Sequence, residues 1–196
     1  MLVSGDDESN LFIWEILPTQ KFGEQLADGT QPDDRLSAVP PNGIHVLAFT
    51  PARCILAAGG AEPIIQLWQM SDRRPLFTLR GHGSSIYGLA FSLDGRTLAS
   101  GGGDQTIRLW DTSTASLKQT LNGHTGIVQS LLFHPNGQWL ISSSSDETMK
   151  IWELQTGDCI RTLRPAGLYQ GMNITGVSGI SAAQRATLKA LGAVEA

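Results

Sequence analysis

The strongest constraint on this chain is a recurrence at a fixed interval. Trp68, Trp110 and Trp152 are spaced 42 and 42 residues apart. The pairs His82/His124, Ser100/Ser142 and Asp104/Asp146 keep the same spacing of 42. GHGSSIYGLAFSLDGRTLASGGGDQTIRLWD therefore aligns without a gap on GHTGIVQSLLFHPNGQWLISSSSDETMKIWE. A third copy, IHVLAFTPARCILAAGGAEPIIQLWQ, lies 42 residues earlier, and a fourth, LVSGDDESNLFIWE, matches with Ser4 and Trp14. The step from Trp14 to Trp68 is 54 residues, 12 more than the period. A repeat of this length is one supersecondary unit, which buries its apolar face only by stacking on its neighbours.

Inside one period the pattern is of strands and tight turns. IYGLAF and VQSLLF alternate in polarity and are followed by Asp94–Gly95 and Asn136–Gly137, the strongest short hairpin signals. TLAS and WLIS predict a second strand, TIRLW and TMKIW a third, and LKQTL and CIRTL a fourth. Four short antiparallel strands per period make one propeller blade. The predicted fold is all-β: a partial or small propeller of about four four-stranded blades, with a short C-terminal α-helix. The blades occupy residues 1–164, divided into an incomplete blade (1–27), an inserted loop (28–43) and the blades 44–79, 80–121 and 122–163. Met1 falls at the position of Thr97, so the innermost strand of the first blade is absent from this sequence. In the tail, 165–196, Gln170–Thr175 is expected to be a strand that pairs beside Leu2–Ser4. Residues 181–191 are expected to be a helix, with Ser181 and Gln184 as a capping box and Gly192 as its stop.

Composition narrows the function classes. The 196 residues are 41% apolar and carry a formal net charge of −4. With no Lys/Arg cluster, the chain has no electrostatic reason to bind nucleic acid or an anionic membrane. Its apolar runs fall short of the roughly 20 residues that span a bilayer, and MLVSGDDESN lacks the basic and apolar regions of a signal peptide. Cys54 and Cys159 lie 105 residues apart without CxxC spacing. They are expected to be small buried thiols in a reducing cytoplasm.

His82, Ser100 and Asp104 are the residue types of a hydrolase triad. A catalytic constellation occurs once per active site, whereas this one recurs with its tryptophan: His82, Ser100, Asp104, Trp110 and again His124, Ser142, Asp146, Trp152. Repetition at the blade period indicates a structural demand. LASGG and LISSS are strand ends, without the G-x-S-x-G of a nucleophile elbow. A Ser-His-Asp hydrolase is the alternative reading; the main reading has no catalytic residues. No phosphate-binding G-x-x-x-x-G-K-[ST] occurs, and Gly59–Gly60 and Gly101–Gly103 are read as turn glycines. His45 and His134 have no metal-ligand spacing, and Asp6, Asp7 and Glu8 are read as a solvated turn, so neither a metal nor a cofactor is expected.

The GH…Asp…Trp-Asp pattern resembles the WD-repeat family of β-propellers over Leu2–Leu163. The resemblance implies that each quartet is a hydrogen-bonded tetrad linking an inner loop to the middle strands. It also implies a non-catalytic platform for a protein or peptide. Two copies depart from the pattern. The Ile44 copy has Ala58, Glu62 and Gln69 in place of Ser, Asp and the terminal Asp, Val39–Pro40 in place of GH, and Ala52–Arg53 at the hairpin. The Leu2 copy has Glu8 at the aspartate position. Family propellers mostly have seven blades, about 290 residues at this period. The chain is then either part of a longer propeller with further blades upstream, or one that closes on itself or on a second copy as a homodimer. Partner contacts are expected at loop-exposed positions near the inner strands: His45, Ser84, Tyr87, Gly126 and Gln129. The 28–43 loop is a further candidate. GMNITGVSGISAAQRATLKALGAVE is similar to the tails of cyanobacterial-type multidomain WD-repeat proteins. That similarity implies the sensor end of a larger bacterial signalling or regulatory protein.

Overall fold

The computed structural model describes residues 2–5, 11–14, 34–36, 40, 42–52, 54–164, 172–178, 181–190 and 193–195. The described chain forms two compact units, Met1–Thr162 and Leu163–Ala196. The first is a partial propeller of antiparallel sheets. Its first sheet has three described strands, β1 (Leu2–Gly5), β2 (Leu11–Trp14) and β3 (Asp34–Arg35), in the order β1-β2-β3. The second holds β4 (Ile44–Phe49), β5 (Ile55–Gly60), β6 (Ile64–Gln69) and β7 (Arg74–Arg80), and the third β8 (Ile86–Phe91), β9 (Thr97–Gly102), β10 (Ile107–Asp111) and β11 (Leu117–Leu121). The fourth holds β12 (Val128–Phe133), β13 (Trp139–Ser144), β14 (Met149–Glu153) and β15 (Cys159–Leu163). In these three sheets the strand order follows the chain.

One register runs through all four. The second strand opposes the third with Leu2 on Trp14, Leu56 on Trp68, Leu98 on Trp110 and Leu140 on Trp152. The hairpins that join first to second strands turn at Gly95 (φ 70°) and Gly137 (φ 73°), in the left-handed region where glycine carries no Cβ penalty. β3 lies inside the segment read from sequence as an inserted loop; Asp34 and Arg35 pair with Ile13 and Phe12. Part of those extra residues therefore supplies the outer strand of the first sheet. The acidic turn Asp6–Glu8, Val39 and Arg53 lie outside the described residues.

The core is a series of inter-sheet layers, as stacking repeats require. Ala57, Ile65, Leu67 and Leu79 of the second sheet pack on Ile86, Leu89, Leu98 and Trp110 of the third. Forty-two residues on, Ala99, Ile107, Leu109 and Leu121 pack on Val128, Leu131, Leu140 and Trp152. Leu11 and Leu36 cover Leu56, Ala58 and Trp68. The face toward the following sheet is small near the inner strand and large farther out, and the receiving face carries the tryptophan.

Two expectations are corrected. Gly59, Gly60, Gly101 and Gly102 are not in turns; they end the second strands β5 and β9. A Cβ on Gly59 would stand 2.7 Å from Ile86 Cγ2, and one on Gly101 would stand 2.5 Å from Val128 Cγ1. These glycines admit the first residue of the next inner strand, and a side chain there would overpack the joint. Cys54 and Cys159 are exposed, not buried. Cys54 lies in the β4–β5 link and Cys159 opens β15, at the edge of its sheet among the described residues.

In the second unit, α1 (Ala182–Ala190) has a capping box. The Ser181 N–H donates to Gln184 Oε1 at 2.8 Å and the Gln184 N–H to Ser181 Oγ at 3.2 Å. Glu195 accepts from Arg185 and from Lys189 Nζ, the latter at 2.6 Å, so one carboxylate bridges both cations of the helix. Asn173 makes an isolated parallel bridge with Val194. Gln170, Gly171, Leu191 and Gly192 lie outside the described residues.

Candidate functional site

Each complete quartet draws on four places in the fold. His82 sits in the link from β7 to β8, Ser100 on β9, Trp110 on β10, and Asp104 in the turn between β9 and β10. His82 Nε2 lies 2.7 Å from Ser100 Oγ, and the Trp110 indole N–H donates to that Oγ at 2.8 Å. His82 Nδ1 lies 2.9 Å from Asp104 Oδ2, which also accepts the Gly83 N–H at 2.9 Å. The second quartet repeats this: His124 Nε2–Ser142 Oγ 2.7 Å, Trp152 Nε1–Ser142 Oγ 2.8 Å, His124 Nδ1–Asp146 Oδ2 2.8 Å, and the Thr125 N–H on Asp146 at 2.9 Å.

The proton arrangement that satisfies every member uses a neutral imidazole. Its Nδ1–H donates to the carboxylate, its Nε2 accepts the serine O–H, and the serine oxygen accepts the indole N–H. This has the connectivity of a serine nucleophile, a base and an orienting acid. The surroundings remove that chemistry. Ser100 is 0% exposed and Ser142 1% exposed, with an indole donating to each oxygen. No acyl group reaches either oxygen.

Two threonines complete the clusters and were not singled out in the sequence. Thr106 donates its N–H (3.2 Å) and its O–H (2.9 Å) to Asp104 Oδ1, and Thr148 does the same to Asp146 (2.9 and 2.6 Å). The recurring D-x-T at the 42-residue period was the available signal. The intervening Gln105 (φ 67°) and Glu147 (φ 63°) take the left-handed conformation, which costs a non-glycine residue about 1 kcal/mol and is held by the carboxylate bonds on either side.

Burial depresses the His82 pKa from its ordinary 6.5, with Asp104 opposing that shift. Burial pushes the Asp104 carboxyl up, but the Gly83 N–H, His82 and Thr106 outweigh it and leave it below 3.8. Asp146 behaves alike: burial raises it, and Thr148, Thr125 and His124 bring it well below the carboxylate range.

In the Ile44 copy, Ala58 supplies no hydroxyl and a different link appears. Asn42 Nδ2 donates to Glu62 Oε1 at 2.5 Å, tying the segment before β4 to the turn after β5. Glu62 thus holds the place of the aspartate with its partner two residues further along the loop.

Three of the five contact candidates sit on one backbone device. In each complete sheet the inner strand carries one extra residue against the second strand, between Ile44 and Val46, Ile86 and Gly88, and Val128 and Ser130. The extra residues are His45, Tyr87 and Gln129. A bulge re-aims its side chain out of the sheet alternation. His45 and Gln129 are exposed, Tyr87 is half-buried, and the His45 and Tyr87 rings stack across neighbouring sheets with centroids 5.1 Å apart and planes 17° apart. Ser84 and Gly126 serve close packing. A Cβ on Gly103 would stand 2.8 Å from Ser84 Oγ, and one on Gly126 would stand 2.6 Å from Ser145 Oγ. At the hairpin end, a groove of about 560 Å³ between the third and fourth sheets is lined by Leu93, Asp94, Lys118, Phe133, Asn136 and Leu154, a feature no linear pattern marks. Among the described residues, no group of three or more His, Cys, Asp or Glu could hold a metal.

Two stretches, 73–111 and 115–153, match the family WD domain, G-beta repeat. Each runs from the outer strand of one sheet through the third strand of the next, so a single repeat ties two sheets together through its histidine loop. No curated protein matches the chain. Both matches are to repeats that generally scaffold protein–protein interactions.

Replacing Ser100 with Ala leaves an indole N–H and an imidazole nitrogen buried without a partner. It is expected to lower stability by about 2–4 kcal/mol, as is Ser142→Ala, measured by urea unfolding. A loss below 0.5 kcal/mol would show that the quartet is not structural.

Below pH 6.5 the unfolded chain takes up a proton that folded His82 refuses, so stability falls as pH drops through that value. Asp104 and Asp146 add a second loss as pH falls through 3.8. Thermal unfolding from pH 7 to pH 5 should show Tm declining in the parent chain, with a smaller decline in His82→Gln, which starts from a lower Tm. Equal slopes would remove His82 as the cause.

Proposed function

We propose that the protein is a non-catalytic binding platform for a protein or peptide, and that the row of inner-strand bulges is its contact strip. The observation that carries this reading is the shared placement of His45, Tyr87 and Gln129. A rigid backbone device presents a different side chain from each sheet, two of them already stacked. Ring stacking of this kind offers wide contact area at low conformational cost, which favours aromatic anchors at interfaces. The quartets beneath the strip hold its loops rigid. The similarity of the tail to multidomain proteins supports a regulatory or signalling setting in the cytoplasm, with this chain as the partner-sensing end.

Selection of displayed random peptides on the parent chain supplies the probe. Tyr87→Ala is expected to weaken the selected peptides at least tenfold and to shift Tm by no more than a few degrees, as read by calorimetry and by fluorescence titration. Peptides that bind the variant as tightly as the parent would place the contact surface elsewhere, and a variant that unfolds would make Tyr87 a core residue.

A further inference from the structure

The third strand of each complete sheet carries a long polar side chain at one repeat position: Gln66 on β6, Arg108 on β10 and Lys150 on β14. Twelve residues after each stands a threonine of the neighbouring outer strand, Thr78, Thr120 and Thr162. Two of these pairs close. The Thr78 O–H donates to Gln66 Oε1 at 2.6 Å, and Lys150 Nζ donates to Thr162 Oγ1 at 2.9 Å. Arg108 lies opposite Thr120 in the ladder, but its guanidinium goes elsewhere.

It runs to Gly81, in the link before β8. A Cβ on Gly81 would stand 2.9 Å from Arg108 Nη1 and 3.2 Å from the Trp110 ring. The equivalent Cβ on Gly123 meets only Trp152 within 4 Å, so this approach belongs to the arginine. Among the described residues the Arg108 side chain makes no ion pair and no hydrogen bond, and its Nε is shut off from water without a partner. Asp104, the acid of the β9–β10 turn, is already bonded to His82, the Gly83 N–H and Thr106. Arg80, exposed and next to Gly81 in the chain, adds positive charge to the region.

A guanidinium on an open surface needs no protein partner, because water serves all five of its donors. Arg108 is half-buried and one of its donors is sealed, so packing holds the side chain and its charge is left uncompensated. Gly81 is exposed and brings no side chain to cover Nη1. A fixed planar fork at such a place suits a carboxylate, which it takes through two parallel N–H···O bonds. We propose that the Arg108 fork beside Gly81 seats an acidic side chain, Asp or Glu, of the bound peptide. The proposal rests on the reading of the protein as a peptide platform and names the charge the peptide brings. That carboxylate supplies the partner that Gln66 and Lys150 find inside their own sheets and Arg108 does not.

A double-mutant cycle on peptides selected against the parent chain tests this. Each Asp and Glu of a selected peptide is changed to Asn or Gln. Binding is then measured to the parent and to Arg108→Gln, which gives the third sheet the residue the second sheet already carries. One acidic position is expected to weaken binding at least tenfold on the parent and less than twofold on the variant. The same peptide is expected to move the Arg108 Nε–H signal in nitrogen-15 NMR spectra. Peptides that bind tightly with no acidic residue coupled to Arg108 would overturn the proposal and leave the platform reading standing. A parent chain that yields no binding peptide would overturn the platform reading and the proposal with it. Inorganic phosphate that moves the Arg108 signal when no peptide does would make the fork a small-anion site and overturn the assignment to a peptide. Should Arg108→Gln fail to fold, Arg108→Lys, the residue of the fourth sheet, takes its place. It keeps the charge and loses the fork, so weaker binding of the acidic peptide is expected, and unchanged binding would overturn the proposal.

Discussion

Everything in this molecule depends on one buried exchange of hydrogen bonds. An antiparallel sheet holds its own strands together, but nothing in its ladder ties it to the sheet before it. The quartets do that. The histidine rides on the link leaving the outer strand of one sheet; the serine, aspartate and tryptophan belong to the next. Each polar group alone would cost a few kcal/mol to bury, and together they leave none unpaired. The cost of separating any one member makes the loop, the turn and the two middle strands move as a unit. A rigid loop face follows, and on it three bulged residues stand at fixed spacing.

The same repeat imposes a second rule, on volume. Small residues sit where the next inner strand must approach, and large ones where the middle strands interlock. Two joints obey this to the point that glycine is required under Ile86 and Val128.

Much of this was legible in the sequence because periodicity reports constraint directly. The 42-residue spacing marks out the three complete sheets, their turns and the two quartets, and Ala58 marks the copy without a serine hydroxyl. What failed did so for lack of a three-dimensional neighbour. Gly59 and Gly101 look like turn residues when only the chain is visible; their reason is a side chain 27 residues further on, in another sheet. Cys54 and Cys159 look like core thiols by type, but one lies in the β4–β5 link and the other opens β15, at the edge of its sheet among the described residues. β3 was hidden because a two-residue strand has no periodicity to show. Thr106 and Thr148 were visible at the repeat interval and were passed over because threonine beside a turn is common. The bulges at His45, Tyr87 and Gln129 leave no mark in one strand alone; they appear only when two strands are counted against each other.

The central claim is that the quartets are closed to solvent and open only when the sheets come apart. Hydrogen exchange of the Trp110 and Trp152 indole N–H groups, followed by NMR across a urea series, measures this at the atoms concerned. The account predicts that both indoles exchange only through global unfolding, with free energies and urea dependence equal to those of the most protected amides of β9 and β13. Exchange of either indole through a local opening, insensitive to urea and much faster than those amides, would mean that water reaches Ser100 or Ser142 in the folded protein, and would contradict it.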